Sequence, residues 1–311
     1  MSPTLPTHVK LVEVGPRDGL QNEGALIPTA DKIRFIQALG KAGLTHIEAT
    51  SFVHPKAVPQ MADALEVLAS LDLSSNSPIT YSALVPNLKG LERAIDSGVK
   101  RIAVFTATSN SFTQKNIGMT VAESLTTFET VVQQALAAGL SVRGYVSTAW
   151  VCPYEGQMPA ESVRDVTEAL FNMGVDEVSL GDTIGAATPV QIQHTLSVLL
   201  NKHPNYLSAL ALHCHDTYGT ALANVMAGLQ MGISTFDASA GGLGGCPYAP
   251  GASGNVATED VVSLMDRLGI NTGVDVTRVV EATALMETLL GRPLTSKTYQ
   301  RLRTVKTESC V

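Results

Sequence analysis

The residues with the most chemical promise stand together in Leu212-His213-Cys214-His215-Asp216. In an extended strand, residues two apart point to the same face, so His213 and His215 would present two imidazoles side by side. Ala209 and Ala211 share that parity, while Leu210, Leu212 and Cys214 take the other. One face small and then imidazole, the other aliphatic, suits the wall of a barrel with a narrow interior and helices outside. Two hydrogen-bonded core histidines would be the plainer reading. A pair at a strand end followed by an acid favours half of a metal site. Elsewhere the chain offers Arg17-Asp18, then Gln21 and Asn22, and further on Glu48, Asp182, Cys246 and Asn255: guanidinium, carboxylate, amide and thiol.

These groups need a frame that brings them together, and a repeat supplies it. Ala42-Gly43-Leu44, Ser97-Gly98-Val99, Ala138-Gly139-Leu140, Met173-Gly174-Val175 and Met231-Gly232-Ile233 each close a helical pattern and lead into an apolar run. Glycine suits the left-handed position just past a helix. The strands read as 9–14, 46–51, 80–85, 101–106, 141–147, 177–180, 209–215 and 235–240, eight in all and spaced as βα units require. Helix starts are marked by the capping box Thr120-Val121-Ala122-Glu123 and by Thr188-Pro189. Eight strands alternating with helices predict a (β/α)8 TIM barrel; a doubly wound open sheet ranks lower, because no GxGxxG follows the first strand. Beyond about residue 258 two helices are expected, one opening on Glu259 and Asp260 and one over 275–290. Together they make a C-terminal helical extension of a single catalytic domain spanning 1–311.

A barrel places its chemistry at the C-terminal ends of its strands. There the candidates converge: Arg17 and Asp18 after strand 1, Glu48 in strand 2, Asp182 after strand 6, the histidines in strand 7, and a glycine-rich run with Cys246 and Asn255 after strand 8. Each has a plainer reading. Asp18 could end a turn, Glu48 could pair with Arg17, Asp182 could cap the loop before Thr188, Cys246 could be a small hydrophobe and Asn255 a turn residue. Their meeting on one face argues for a site.

The bulk of the chain narrows the classes. With 311 residues and 45% hydrophobic content, a sizeable core is available and disorder is excluded. A net charge of −7 without a basic run argues against nucleic acid. Four cysteines without CxxC spacing suit a reducing cytoplasm, and no apolar run reaches a membrane span.

Longer motifs carry a resemblance. Gly15-Pro16-Arg17-Asp18-Gly19-Leu20-Gln21-Asn22-Glu23 resembles the N-terminal motif of 3-hydroxy-3-methylglutaryl-CoA lyases. The likeness continues through 141–146, Cys152-Pro153-Tyr154-Glu155-Gly156, Ser179-Leu180-Gly181-Asp182-Thr183-Ile184-Gly185, 212–219 and 241–249. The wider superfamily of metal-dependent aldolases and condensing enzymes shares only the Arg-Asp and His-x-His elements. The resemblance implies a (β/α)8 fold and cleavage of 3-hydroxy-3-methylglutaryl-CoA to acetyl-CoA and acetoacetate, a step of leucine degradation and ketone-body formation. It places metal ligands on Asp18, His213, His215 and Asn255, the catalytic arginine on Arg17, the catalytic cysteine on Cys246, and further active-site positions on Glu48 and Asp182. Substrate contacts would come from Arg17 and Gln21. Residues 108–113 are not spelled as in every member of the family, so the resemblance does not define the details of the substrate mouth. The N-terminus has no room for the transit segment of mitochondrial members, which implies a cytoplasmic form; a homo-oligomer is expected by resemblance alone.

The implied reaction breaks a carbon–carbon bond beside a tertiary hydroxyl. One carboxylate, two imidazoles and an amide oxygen suit Mg²⁺ or Mn²⁺ better than a closed tetrahedral Zn²⁺. Arg17 would face the thioester oxygen as enolate charge develops, and Cys246 would protonate the enolate. Asp18 and Asp182 both remain candidates for the base. Rival readings are a lyase for a longer-branched substrate such as 3-hydroxy-3-isohexenylglutaryl-CoA, a condensing relative, and a non-catalytic metal- or CoA-binding protein.

Overall fold

Alternation of side chains decides how the strands are used. In most strands one parity is aliphatic and packs outward under helices, while the other turns inward and is largely polar or small, with Leu84, Phe105 and Tyr145 as the large inward exceptions. The structure, a computed structural model, describes residues 5–245 and 254–308. Its eight parallel strands are β1 (Lys10–Glu13), β2 (His46–Ser51), β3 (Thr80–Leu84), β4 (Arg101–Ala107), β5 (Ser141–Ser147), β6 (Glu177–Asp182), β7 (Leu210–Cys214) and β8 (Thr235–Ala238). They follow one another around a closed barrel, with β1 paired to both β2 and β8. Closure excludes the open doubly wound sheet.

The expected βα rhythm is present. α1 (Thr29–Lys41), α2 (Ala64–Ala69) and α3 (Leu88–Ser97) follow the first three strands. After β4 come a short α4 (Asn110–Ile117) and the full-length α5 (Val121–Ala137). The ring continues with α6 (Ala160–Asn172), α7 (Pro189–Lys202), α8 (Ala221–Gln230) and α9 (Thr258–Leu268). The glycines at 43, 98, 139, 174 and 232 all adopt positive φ, as the repeat requires. Thr120 and Thr188 each cap their helix through a complete capping box.

Two elements depart from the sequence reading. The helix at 258, assigned to an extension, follows β8 and so completes the ring as its eighth helix. The added helices are α10 (Val276–Leu290), which packs on both α1 and α9, and α11 (Lys297–Glu308), which the sequence reading omitted. A small antiparallel hairpin pairs residues 151–152 with 156–157, so the Cys152-Pro153-Tyr154-Glu155-Gly156 motif is a turn above β5.

One large apolar core lies between barrel and helices, built from residues such as Phe35, Ile47, Val104, Leu180, Leu212 and Phe236. A separate small apolar cluster of Leu84, Ala103, Phe105 and Tyr145 lies inside the barrel on the β3–β5 side. The remaining interior is charged, which is where the site begins.

Candidate active site and metal centre

The turn after β1 aims the first two groups. Residues Gly15–Gly19 form a single π-helical turn, in which the Val14 carbonyl accepts from the backbone N–H of Arg17, Asp18 and Gly19 at 3.2, 2.7 and 3.1 Å. Wide turns of this kind recur at functional sites, because they change which way neighbouring side chains point. Gly19 permits close approach of the segment after β8: a Cβ there would come 2.9 Å from Leu243 Cβ.

From this turn Asp18 meets the histidines of β7. Its Oδ2 lies 3.9 Å from His213 Nε2 and 4.0 Å from His215 Nε2, and the two Nε2 atoms are 3.1 Å apart. The ligand atoms of all three residues fall within 4.8 Å of one another. With bonds of about 2.1 Å, neighbouring ligands of an octahedral ion stand roughly 3 Å apart, so this donor set fits a small divalent cation after slight tightening. Asn255 is drawn in by an isolated bridge to His215. Its Nδ2 donates to Asp18 Oδ2 at 2.9 Å and to the Leu243 carbonyl at 3.0 Å. Its amide nitrogen thus faces Asp18, and a ligand role would fall to its oxygen.

The electrostatics keep these groups in usable states. Burial alone would raise the Asp18 carboxyl, but Arg17 and the two imidazoles outweigh it and hold it at about 2. Burial and the neighbouring His213 push His215 down to about 4, leaving it neutral. Burial would also lower His213, yet its hydrogen bond to Asp237 and the nearby Asp18 raise it overall.

Arg17 is buried and spans two carboxylates. Its Nε donates to Glu48 Oε2 at 2.6 Å and its Nη1 to Asp18 Oδ1 at 2.7 Å. Glu48 is thus the ion-pair partner of Arg17, as its plainer reading has it, and it does not itself line the cavity. Burial raises its carboxyl despite Arg17. The guanidinium also sits over the Tyr145 ring, 5.5 Å from its centroid, and Tyr145 meets His213 edge-on.

Asp18, His213, His215, Arg17 and Gln21 open into a cavity of about 600 Å³ at the C-terminal end of the barrel. The Oε1 of Gln21 is buried without a hydrogen-bond partner, which fits a donor arriving on a ligand. Val53, Val58, Leu84, Phe105, Phe112 and Ile117 make the opposite wall apolar. Phe112 and Ile117 belong to α4, so the atypical segment 108–113 is the start of a helix at the mouth, capped by Ser109.

Asp182 is not brought into this cavity. It shares the outward parity of Val178 and Leu180, and its carboxylate accepts from the backbone N–H of Ala186 and Ala187 at 3.0–3.1 Å. Its capping alternative describes that geometry. Burial lifts it to about 6, so the more basic carboxylate is tied into a loop while the one facing the cavity is a weak base. Asp216 also turns away, accepting from Ala221 N at the start of α8. Cys246 lies outside the described residues. Gly245, immediately before it, lines the cavity and accepts from Asn22 Nδ2 at 2.9 Å.

The sequence reading missed a charged layer beneath the site: Arg143, Tyr145, Glu177, Ser179 and Asp237. All five occupy inward parity, which was the available signal.

With this geometry in view, comparison with known proteins is decisive. Residues 8–286 match the model of the HMGL-like family. The chain belongs to that family. It is similar to the mitochondrial hydroxymethylglutaryl-CoA lyase of Bos taurus, at 52% identity over 297 residues, 96% of this chain and 90% of that one. The crystal structure of the Bacillus subtilis HMG-CoA lyase matches with a TM-score of 0.93 at 48% identity, covering 96% of this chain and 99% of its own. The solved structure of an HMG-CoA lyase from Acinetobacter baumannii, in complex with coenzyme A and 3-methylmalate, matches with a TM-score of 0.88 at 37% identity, covering 94% of this chain and 95% of its own. The HMGL-like fold is thus the (β/α)8 barrel read from the strand pattern.

Proposed function

We propose that this protein is a carbon–carbon lyase that cleaves 3-hydroxy-3-methylglutaryl-CoA to acetyl-CoA and acetoacetate. The observation that carries the reading is the meeting of Asp18, His213, His215 and Arg17 in one cavity, in a chain about half identical to proteins of that name. The bound coenzyme A of the Acinetobacter baumannii relative supports a thioester substrate.

Asp18, His213 and His215 would hold a divalent cation, with Asn255 offering its amide oxygen. The hard oxygen donors beside the imidazoles favour Mg²⁺ or Mn²⁺. When bound, the ion supplies Lewis-acid charge to the oxygens of the tertiary hydroxyl and carboxylate. Arg17 stays cationic beside Glu48 and Asp18 and has donors left for the thioester oxygen, where enolate charge collects as the bond breaks. Gln21, with its unpartnered oxygen, binds a donor on the substrate. The apolar wall of Leu84 and Phe105 receives the methyl branch and keeps water from the enolate. Cys246 delivers the proton that completes acetyl-CoA; the backbone reaches the cavity one residue earlier, at Gly245.

We further assign one catalytic unit to residues 1–311, a place in leucine degradation, self-association as a dimer or larger assembly, and the reducing cytoplasm that its cysteine usage suits. Among the described residues no helix is long and apolar enough to cross a membrane.

The test is acetoacetate release from 3-hydroxy-3-methylglutaryl-CoA after chelation and after return of Mg²⁺ or Mn²⁺. Loss and recovery are expected, with neither in His213→Ala. A folded, metal-loaded protein that releases no acetoacetate would sink the reading, and longer-branched thioesters would then be tried first.

A further inference from the structure

The charged layer under the site contains an acid that the proposed chemistry leaves unused. Asp237 is fully buried in β8, directly beside His213 of β7 in the sheet register. Its Oδ1 accepts from Arg143 Nη2 at 2.6 Å, and its Oδ2 accepts from Arg143 Nη1 at 3.1 Å and from Ser179 Oγ at 2.8 Å. The same Oδ2 lies 3.1 Å from His213 Nδ1. A guanidinium can only donate, and a carboxylate gripped on both oxygens by one is held ionised and can only accept. The proton in the His213 contact must therefore sit on Nδ1.

We infer that Asp237 is a positioning residue that fixes the His213 tautomer and turns a bare Nε2 lone pair toward Asp18 and His215, with Arg143 and Ser179 locking the carboxylate in place. The inference rests on reading Asp18, His213 and His215 as a cation site. An imidazole whose second nitrogen donates to a carboxylate is both better oriented and more basic as a ligand. The lock reaches further. Arg143 Nη1 also donates to the Tyr145 hydroxyl at 2.8 Å, and that hydroxyl lies 3.2 Å from Glu48 Oε2, which binds Arg17. One buried guanidinium thus anchors a ligand imidazole on one side and the catalytic arginine on the other. Its own seat is set by Glu177, 2.7 Å from Nε.

The experiment is Mn²⁺ binding to the metal-free protein, by calorimetry and by the electron paramagnetic resonance signal of free Mn²⁺. Four proteins are compared: wild type, His213→Ala, Asp237→Asn, and the double variant Asp237→Asn/Arg143→Gln. Asp237→Asn keeps the shape but removes the obligate acceptor. A loss of about 10–100-fold in Mn²⁺ affinity is expected. The double variant removes the Arg143–Asp237 charge pair and leaves Glu177 its ion pair with Lys10, so its thermal midpoint should exceed that of Asp237→Asn while its Mn²⁺ affinity stays equally low. That separation is one a merely structural role would not produce. Wild-type affinity in either folded variant overturns the inference, and the double variant decides should Asp237→Asn fail to fold. If wild type and His213→Ala bind Mn²⁺ alike, the cation site itself is misread. If only His213→Ala loses binding, the site stands and Asp237 has no part in it.

Discussion

Two charged layers share the inside of this barrel, and they use the same residue types to opposite ends. In the lower layer, Arg143 is enclosed by Glu177, Asp237 and Tyr145, and Glu177 also takes Lys10. Every charged group there has a fixed partner, and Arg143, Glu177 and Asp237 stay below the cavity, which only Tyr145 and Ser179 of this layer reach. In the upper layer, Arg17 and Asp18 hold each other, yet Asp18, two imidazole nitrogens and the Gln21 oxygen face open space. Charge alone does not mark the functional layer. What marks it is polar capacity left over after the protein's own bonds have been counted.

The contrast breaks or sharpens under substitution. The largest effect should come from the lower layer. Arg143→Met leaves Glu177 and Asp237 buried without their shared cation, and a loss of about 3–5 kcal/mol is expected in urea unfolding. A loss below 1 kcal/mol would mean the layer is not structural. Arg17→Gln, in the upper layer, should instead lower kcat by about 10²–10³, the range for removing one preorganised donor from a developing oxyanion, with a much smaller change in unfolding. Equal damage to stability by both substitutions would erase the distinction.

A third site tests burial without a cation. Glu259 is fully buried and binds Gly241 N and the Thr283 hydroxyl; burial pushes its carboxyl up to about 7. The unfolded chain ionises this group at an ordinary carboxylate value, before the folded chain does. Unfolding therefore releases a proton between about pH 4.5 and 7, and stability should fall with rising pH over that window. Glu259→Gln should flatten the fall by up to about 3 kcal/mol when urea midpoints at pH 5 and pH 8 are compared. Parallel pH slopes in the two proteins would show that Glu259 is not held protonated. The smallest effect belongs to a cap. Thr188→Ala removes one half of the capping box on α7 and should cost about 1 kcal/mol with kcat unchanged, and a changed kcat would tie this helix end to the site.

Much of the frame was legible because its signals are local. A glycine after a helix needs only its own backbone conformation, and the capping boxes at Thr120 and Thr188 span four residues each. Five of the eight strands follow such a glycine stop directly, and the apolar runs themselves mark the other three. The interior was harder, because charge in a strand reads the same whether it is saturated or free. Parity held more than was taken from it: Glu177, Ser179 and Gly181 share the inward face of β6, while Asp182 follows Val178 and Leu180 outward. That turns the Asp182 carboxylate, at the end of β6, toward the loop before α7, where it accepts from Ala186 N and Ala187 N. The missed helix α11 has a weak apolar signal, since Tyr299 and Leu302 are among its few core contacts and most of its sequence is polar. The amide geometry of Asn255 depends on Leu243 and Asp18, far apart in the chain, and no local pattern encodes it.

The π-helical turn at Gly15–Gly19 has a consequence for how the chain can vary in length. A π turn holds one residue more than an α turn, and each residue along a helix rotates the next side chain by about 100°. Deleting or inserting a single residue between Val14 and Gly19 would swing Arg17 and Asp18 off their shared direction, leaving Glu48 and the two imidazoles facing the wrong neighbours. Tolerance to length change should therefore be low here: this five-residue turn can lengthen or shorten only at the expense of the reaction.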